Sequence, residues 1–367
     1  MRKFQVALFL VCFSHFIQRP YRNEVLTQLN PDNITTVMSF TFVLSFIIIA
    51  LIRVVEKRIS AGSIAVALLF TSLVIHTALF HGFSHPAAPL LYLIVGSSFN
   101  LTGISVIWLL AMTRITHQNY SSSFQLGMST QWAALAGSIG SIFISAYSTP
   151  SSALFIGILA LFTSLLTIVR VDSDRTDESL GSLSILSKPS FSTYVLIYTI
   201  ISTGLYYFVL KKASEEILVS SLRLDIYSYL DLTIHVFTLL LSFIVARFTL
   251  HRNTGFILPP VLAALCLVWI HEDATVITCL IVLIIFKCSH YAITRPHREL
   301  YLAQQSNSGA ISAKVFSDSV TYRLGDAIGA WFISFFISFG MDIGAMALYF
   351  LPFTVLWLVA GLFLIRP

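Results

Sequence analysis

Twelve apolar runs, each near the length of a membrane crossing, fill this chain of 367 residues and leave short polar connections between them. They fall at about 4–29, 35–55, 61–81, 90–113, 124–148, 151–171, 191–213, 226–248, 255–270, 274–294, 316–339 and 343–365. About 20 apolar residues in a helix cross the hydrocarbon core of a bilayer. Inside lipid every backbone amide needs an internal partner, so runs of this kind fold as helices. The ninth is the shortest and holds Pro259-Pro260. Composition agrees: 11% of residues are charged and the mean hydropathy is +0.85, against about 25% charged in a soluble domain. The sequence predicts an all-α membrane protein with twelve transmembrane helices.

The net charge of +5 is no sign of nucleic-acid binding, because basic loops orient a membrane protein. Arg2, Lys3, Arg53, Lys57, Arg58, Arg114, Arg170, Arg175, Lys188, Arg247, Arg252, Lys314 and Arg366 sort to one side. The loops near 81–89, 146–150, 271–273 and 340–342 carry no Lys or Arg. The positive-inside rule then puts both termini in the cytoplasm of a multi-pass inner-membrane protein. Met1-Arg2-Lys3 and the apolar run after it have the shape of a signal peptide. No small-x-small cleavage site follows, and a first transmembrane helix is the reading taken. Cys12, Cys266, Cys279 and Cys288 sit singly in apolar runs and imply neither a disulfide framework nor a zinc site.

The longest polar stretch, 172–190, divides the chain into a six-helix half at 1–171 and another at 191–367. The halves echo each other. Phe16-Ile17-Gln18-Arg19-Pro20-Tyr21-Arg22-Asn23-Glu24-Val25 lines up with Phe208-Val209-Leu210-Lys211-Lys212-Ala213-Ser214-Glu215-Glu216-Ile217. The run from Leu135 through Gly140 to Ser145 lines up with that from Leu324 through Gly329 to Ser334. A 6+6 pseudo-symmetric bundle around a midplane site is the major-facilitator-like plan.

Charge inside an apolar helix is costly and marks function by default. Two Arg-Pro-x-Arg signatures stand out, Arg19-Pro20-Tyr21-Arg22 and Arg295-Pro296-His297-Arg298. Arg19 and Arg22 are three apart and share a helix face. Each proline removes a backbone donor and favours a kink, which a cavity can resolvate. Guanidinium binds phosphate or carboxylate through a planar fork. One charged site assembled from both halves is therefore expected, with Arg19, Arg22, Lys211, Arg295 and Arg298 on an anionic, phosphorylated solute. Glu24 and Glu299 would orient those arginines. Snorkelling to headgroups, the bland alternative, suits a lone arginine better than two proline-punctuated clusters.

Lys314, Asp318, Tyr322, Arg323 and Asp326 open the eleventh span. Lys314 with Asp318, and Arg323 with Asp326, have the spacing of helix ion pairs. They are read as gating or coupling residues, with direct substrate contact as the equal alternative. Gly325 and Gly329 make a small-xxx-small face, and Gly137 and Gly140 are assigned to packing. Asp231 and Lys287 are intramembrane charges for ion coupling or simple pairing. Tyr21, Trp132, Tyr206 and Tyr207 are candidates for stacking on a base, or for the aromatic belt of the interface. His76, His81 and His85 are read as incidental histidines rather than a metal site. Asn33-Ile34-Thr35 matches a glycosylation acceptor, a tripeptide common by chance.

With these motifs in place, the chain resembles the ATP/ADP antiporter (nucleotide transporter) family of plastids and intracellular bacteria, a divergent branch with a major-facilitator-like fold. Where that family has Asp-Pro-Thr-Lys-Glu after a Tyr, this sequence has Arg295-Pro296-His297-Arg298-Glu299 after Tyr291. The family's following Lys, Asp and Arg-Leu-Gly are matched by Lys314, Asp318 and Arg323-Leu324-Gly325. Its first-span Arg-Asp-x-x-Asp motif is echoed by Arg19 through Glu24. The departures are definite. The family's exchangers are longer, and they carry a Lys and a Glu in the fourth and fifth spans. Here those spans offer only Arg114 at an end and polar residues such as Gln131, and Arg295 stands where the exchangers have Asp. The resemblance implies a transporter of this branch, a short member, for a nucleotide or nucleotide-like solute, and it does not fix ATP as the substrate.

The resulting expectation is a secondary transporter that works by alternating access and exchange, monomeric among membrane lipids, with no cofactor and no metal. A proton- or sodium-coupled carrier or exporter of another anionic metabolite is the alternative, with Asp231 or Asp326 titrating. An intramembrane lipid-modifying enzyme would need a nucleophile beside a base, or a metal cluster. The sequence offers mostly arginine, which binds well and titrates poorly. A membrane scaffold would not require buried arginines in both halves.

Overall fold

Pro20 cannot donate a backbone N–H to Phe16, and the first span breaks one turn into that gap. In the computed structural model α1 covers Arg2–Ile17 and α2 covers Arg19–Thr27, with Gln18 between them. The structure describes residues 2–27, 31–55, 58–82, 85, 88–115, 120–147, 150–172, 189–248, 254–304 and 316–365, and no strand occurs among them. The other helices are α3 (Pro31–Val55), α4 (Ala61–His81), α5 (Ala88–Leu91), α6 (Ser97–Ile115), α7 (Tyr120–Tyr147), α8 (Pro150–Asp172), α9 (Pro189–Glu216), α10 (Ser220–Phe248), α11 (Thr254–Glu272), α12 (Val276–Ser289), α13 (Arg295–Gln304), α14 (Tyr322–Ser338) and α15 (Ile343–Ile365). Three π-helical turns interrupt this order, at Tyr92–Gly96, His290–Thr294 and Phe316–Thr321.

Every predicted span is thus helical where it is described. Nine helices among the described residues are long and apolar enough to cross a membrane. The remaining three spans are α1 with α2, α7, and the third π turn with α14. The protein is a multi-pass membrane protein of twelve helical spans. The ninth span is longer than its apolar run suggested: α11 has 19 residues and holds both prolines inside it.

The chain forms two units. One comprises Met1–Val25, Phe40–Ile185 and Ser306–Val320; the other comprises Leu26–Ser39, Leu186–Gln305 and Thr321–Pro367. Each is mainly one half of the sequence, but each also takes a short piece of the other. Residues 173–188, most of the expected linker, lie outside the described residues.

In unit one α1 is the central element, packed by α6, α7 and α8. Its middle is apolar with no single polar face, and most of it is buried or half-buried, with Lys3 and Val6 left exposed. Ala7, Leu8 and Val11 are fully buried, and Ile107, Ala133 and Leu161 close over them. Gly137 of α7 lets that helix approach: a Cβ there would lie 2.8 Å from Phe16 Cβ and 3.0 Å from Ile17 N.

In unit two the same role falls to α9, packed by α12, α14 and α15. Phe191, Ile201, Phe208 and Ala213 are fully buried. Gly329 of α14 faces Ile200 O and Thr203 of α9, so the predicted small-residue face is a helix contact. Pro260 has no N–H for the Phe256 carbonyl, which instead accepts the Tyr194 hydroxyl at 3.4 Å. Gly361 of α15 packs on that same oxygen, 2.5 Å from where its Cβ would stand. Thr35, in the part of α3 belonging to this unit, bonds Ser334 and the Ala330 carbonyl. Its hydroxyl is engaged and Asn33 lies within the helix, which does not suit a glycosylation acceptor.

Candidate functional site

Both Arg-Pro signatures sit at helix discontinuities, and each opens a short polar helix. In unit one Arg19 starts α2 and is 5% exposed, with its guanidinium 5.7 Å from the Phe16 ring centroid. Gln18 and Asn23 beside it are also buried. The Tyr92 hydroxyl, at the first π turn, donates to Gln18 Oε1 at 2.8 Å. Tyr21 stacks obliquely on Tyr92, ring centroids 6.3 Å apart. Arg22 is half-buried and within electrostatic reach of Tyr92. Arg19 and Arg22 therefore enter one polar neighbourhood in this unit. The Glu24 side chain lies outside the described residues.

In unit two the second signature follows the second π turn. Pro296 cannot continue the α pattern, and Arg295 N–H donates to the His290 carbonyl five residues back. The wider turn carries the chain from α12 into α13. Lys287, just before it, is 2% exposed. Its ammonium donates to Ser202 Oγ at 2.6 Å and to the Tyr198 hydroxyl at 3.5 Å. It also stands 4.7 Å from the Tyr206 ring centroid. His290 lies flat on Tyr198 at 3.7 Å between centroids. Arg298 is 6% exposed and within electrostatic reach of Tyr194, Tyr198 and His290. Arg295 is half-buried and reaches His290 in the same way. The Glu299 side chain lies outside the described residues.

This cluster offers two strong cation donors and a third at its edge, an imidazole and several hydroxyls, walled by aromatic rings. Its chemistry suits an anion: ammonium and guanidinium supply charge, and hydroxyls complete the hydrogen bonding. Burial makes each contact stronger than it would be in water and makes an uncompensated cation costly.

Other expected residues are placed differently. Lys211 is at the C-terminal end of α9, 3.8 Å from Glu215, which also takes Lys212 at 3.3 Å. Tyr194, which Arg298 reaches, is seventeen residues earlier on that helix, or about 25 Å at 1.5 Å per residue. Arg298 also reaches Tyr198, thirteen residues before Lys211, so Lys211 and Arg298 address different levels of α9. Arg323 pairs with Asp326 at 3.2 Å, and Thr203 donates to the other Asp326 oxygen at 2.8 Å. This is a bridge between α9 and α14. Asp318 lies on the third π turn. Asp231 is buried in α10, four residues from buried His235. Lys314 lies outside the described residues.

Gln18, Tyr198, Ser202 and His290 were not singled out from the sequence. One signal was present: Lys287, His290 or Tyr291, Thr294 and Arg298 recur at three- and four-residue steps, a polar stripe through an apolar span. Among the described residues no group of three or more His, Cys, Asp and Glu is placed to hold a metal ion. His76 is buried while His81 and His85 are exposed. All four cysteines are buried, and no disulfide joins them among the described residues.

No protein-family model and no curated protein sequence matches the chain. Solved structures do. The human organic anion transporter MFSD10 (TETRAN) is 13% identical with a TM-score of 0.71, over 99% of this chain and 98% of that one. The nucleoside transporter NupG is 13% identical with a TM-score of 0.61, over 100% and 98%. FucP, a major facilitator superfamily transporter in the outward conformation, is 13% identical with a TM-score of 0.67, over 100% and 98%. At this identity the likeness establishes the fold, and the chain has the major facilitator fold.

Proposed function

We propose that the protein is a secondary transporter, not an enzyme, that moves an anionic, phosphorylated metabolite by alternating access. The solute is a nucleotide or nucleotide-like molecule, taken in exchange for another, as in the ATP/ADP antiporter branch that the motifs resemble. The observation that carries this reading is the cluster of Lys287, Arg298 and His290 in unit two. Three nitrogenous side chains buried in membrane-spanning segments are expensive, and such groups persist where a solute uses them. Arg19 and Arg22 of unit one are assigned to the same solute class, and Arg295 to its rim. The fold is shared with proteins named as carriers of organic anions and nucleosides. The basic loops favour cytoplasmic termini in an inner membrane, and a monomer is the working form.

The test is uptake of labelled ATP into liposomes that contain the purified protein and are loaded with unlabelled ADP. Uptake should need the internal nucleotide, and Arg298→Ala should abolish it. Wild-type uptake by that variant removes this site. The second reading, a proton- or sodium-coupled carrier or exporter, draws on the Thr203–Asp326–Arg323 bridge and on buried Asp231. Flux that follows an imposed pH or sodium gradient, and ignores internal nucleotide, would select it.

A further inference from the structure

Arg298 reaches the Lys287 and His290 cluster from a short helix that two rings hold in place. Contacts between α13 and α9 pair in order and in opposite sense along the two helices. Tyr301 stacks on Phe191, with ring centroids 5.6 Å apart and 8° between the planes. Three residues back along α13 and three forward along α9, Arg298 is within electrostatic reach of Tyr194. Tyr301 also meets Phe256 of α11 edge-on at 6.0 Å. It is 5% exposed, and Phe191 and Phe256 are fully buried. Tyr301 therefore anchors the later turns of α13 on both α9 and α11.

The start of α13 is anchored by His297. Its Nδ1 donates to the Ile293 carbonyl at 2.7 Å, which ties the ring back to the π turn. A carbonyl only accepts, so Nδ1 carries the proton. The ring fills the place where Gly255 of α11 has no side chain. A Cβ at Gly255 would overlap His297 Cγ and stand 2.5 Å from Cδ2 and 2.6 Å from Nδ1. Rotation about χ2 leaves Cγ where it is, so the ring cannot turn aside. It must change its χ1 rotamer, which breaks the bond to Ile293, or α13 must move. Gly255 is buried in the first turn of α11, and Phe256, the edge partner of Tyr301, is the next residue. Pro296 has no N–H, so the backbone makes one bond fewer at this junction and side chains take over the hold.

We propose that His297 and Gly255 are positioning residues: ring and notch together set the angle of α13 and so aim the Arg298 guanidinium at the cluster, a role that rests on the anion-carrier reading of that site. Neither residue touches the solute. A guanidinium held in place before binding is not ordered at the moment of binding, and that adds affinity.

The experiment is a double-mutant cycle on ATP binding to the purified full chain, measured by equilibrium dialysis. Deleting the guanidinium outright costs about 30-fold or more. Displacing it keeps its charge, so Gly255→Ala should weaken ATP binding about tenfold. On a His297→Ala background, where the ring is gone, the same substitution should cost less than about twofold. On an Arg298→Lys background it should again cost less than about twofold, because a flexible ammonium does not need α13 at a set angle. Equal losses on all three backgrounds would make the contact merely structural and overturn the proposal, as would unchanged ATP binding by folded Gly255→Ala. Should Gly255→Ala fail to fold, His297→Ala makes no clash and carries the test. It should weaken ATP binding about three- to tenfold, the cost of ordering one long side chain, and unchanged binding overturns the proposal. Either overturning result, with ATP bound by the wild type, strikes this inference alone. A wild-type chain that does not bind ATP removes the nucleotide reading and this inference with it.

Discussion

Lys287→Met separates a substrate contact from a structural one. Methionine keeps the unbranched length of the side chain and deletes its charge. The structure gives the ammonium a 2.6 Å bond to Ser202 and a 4.7 Å approach to the Tyr206 ring. Those contacts contribute about 1.5–3 kcal/mol and about 0.5–2 kcal/mol. Against them stands the desolvation of a cation that is 2% exposed, which costs several kcal/mol. The terms nearly cancel, so the change in stability should stay within about 1–2 kcal/mol. At about 2–4 °C per kcal/mol for a unit of this size, the melting temperature in detergent should hold to within a few degrees. Transport should not survive. Loss of a desolvated charge partner costs about 2–5 kcal/mol, or roughly 30-fold to several thousand-fold in affinity. The assay pairs a thermal melt with nucleotide counterflow in liposomes. A stable variant that retains about a tenth or more of wild-type counterflow refutes the anion-contact argument. A melting temperature well below wild type shows instead that the ammonium holds α9 to α12.

Lys211→Ala should keep melting temperature and transport near wild type, since its pairing with 44%-exposed Glu215 is of a kind worth about 0–1 kcal/mol; lost counterflow would restore it to the site. Gly361→Ala should lower the melting temperature, because its Cβ meets a backbone oxygen at 2.5 Å and overpacking of this sort costs about 1–3 kcal/mol; an unchanged melt would mean that α11 and α15 separate freely. Gly137→Leu should destabilise unit one through Phe16 and Ile17, read as faster proteolysis of the purified protein, and wild-type resistance would show that the crossing is not tight.

The spans were legible because lipid permits one answer to a long apolar run. The interruptions were legible too: Pro20 and Pro296 predicted distortion, and the structure places a break and a π turn there. Asp231 and Lys287 stood out as isolated charges. Neutral polar residues did not. Gln18, His76 and His290 look in sequence like any polar group satisfied within a core, and only three-dimensional neighbours reveal which of their atoms lack partners. The convergence expected of Lys211 with Arg298 failed for a related reason. Sequence spacing gives a helix face, but depth along the membrane depends on where neighbouring helices start.

The ring wall around Lys287 has an optical consequence. Trp357 is fully buried, with centroids 5.4 Å from Tyr194, 5.7 Å from Tyr198 and 6.0 Å from Phe286. Trp132, Trp269 and Trp331 are all more than two-fifths exposed and report on lipid or detergent, while Trp108, in unit one, is the other buried indole, so Trp108→Phe isolates the Trp357 signal. An indole walled in beside a cationic cluster feels the local field directly, and neutralising that cluster shifts its emission energy. The protein carries its own fluorophore for occupancy, readable without a label.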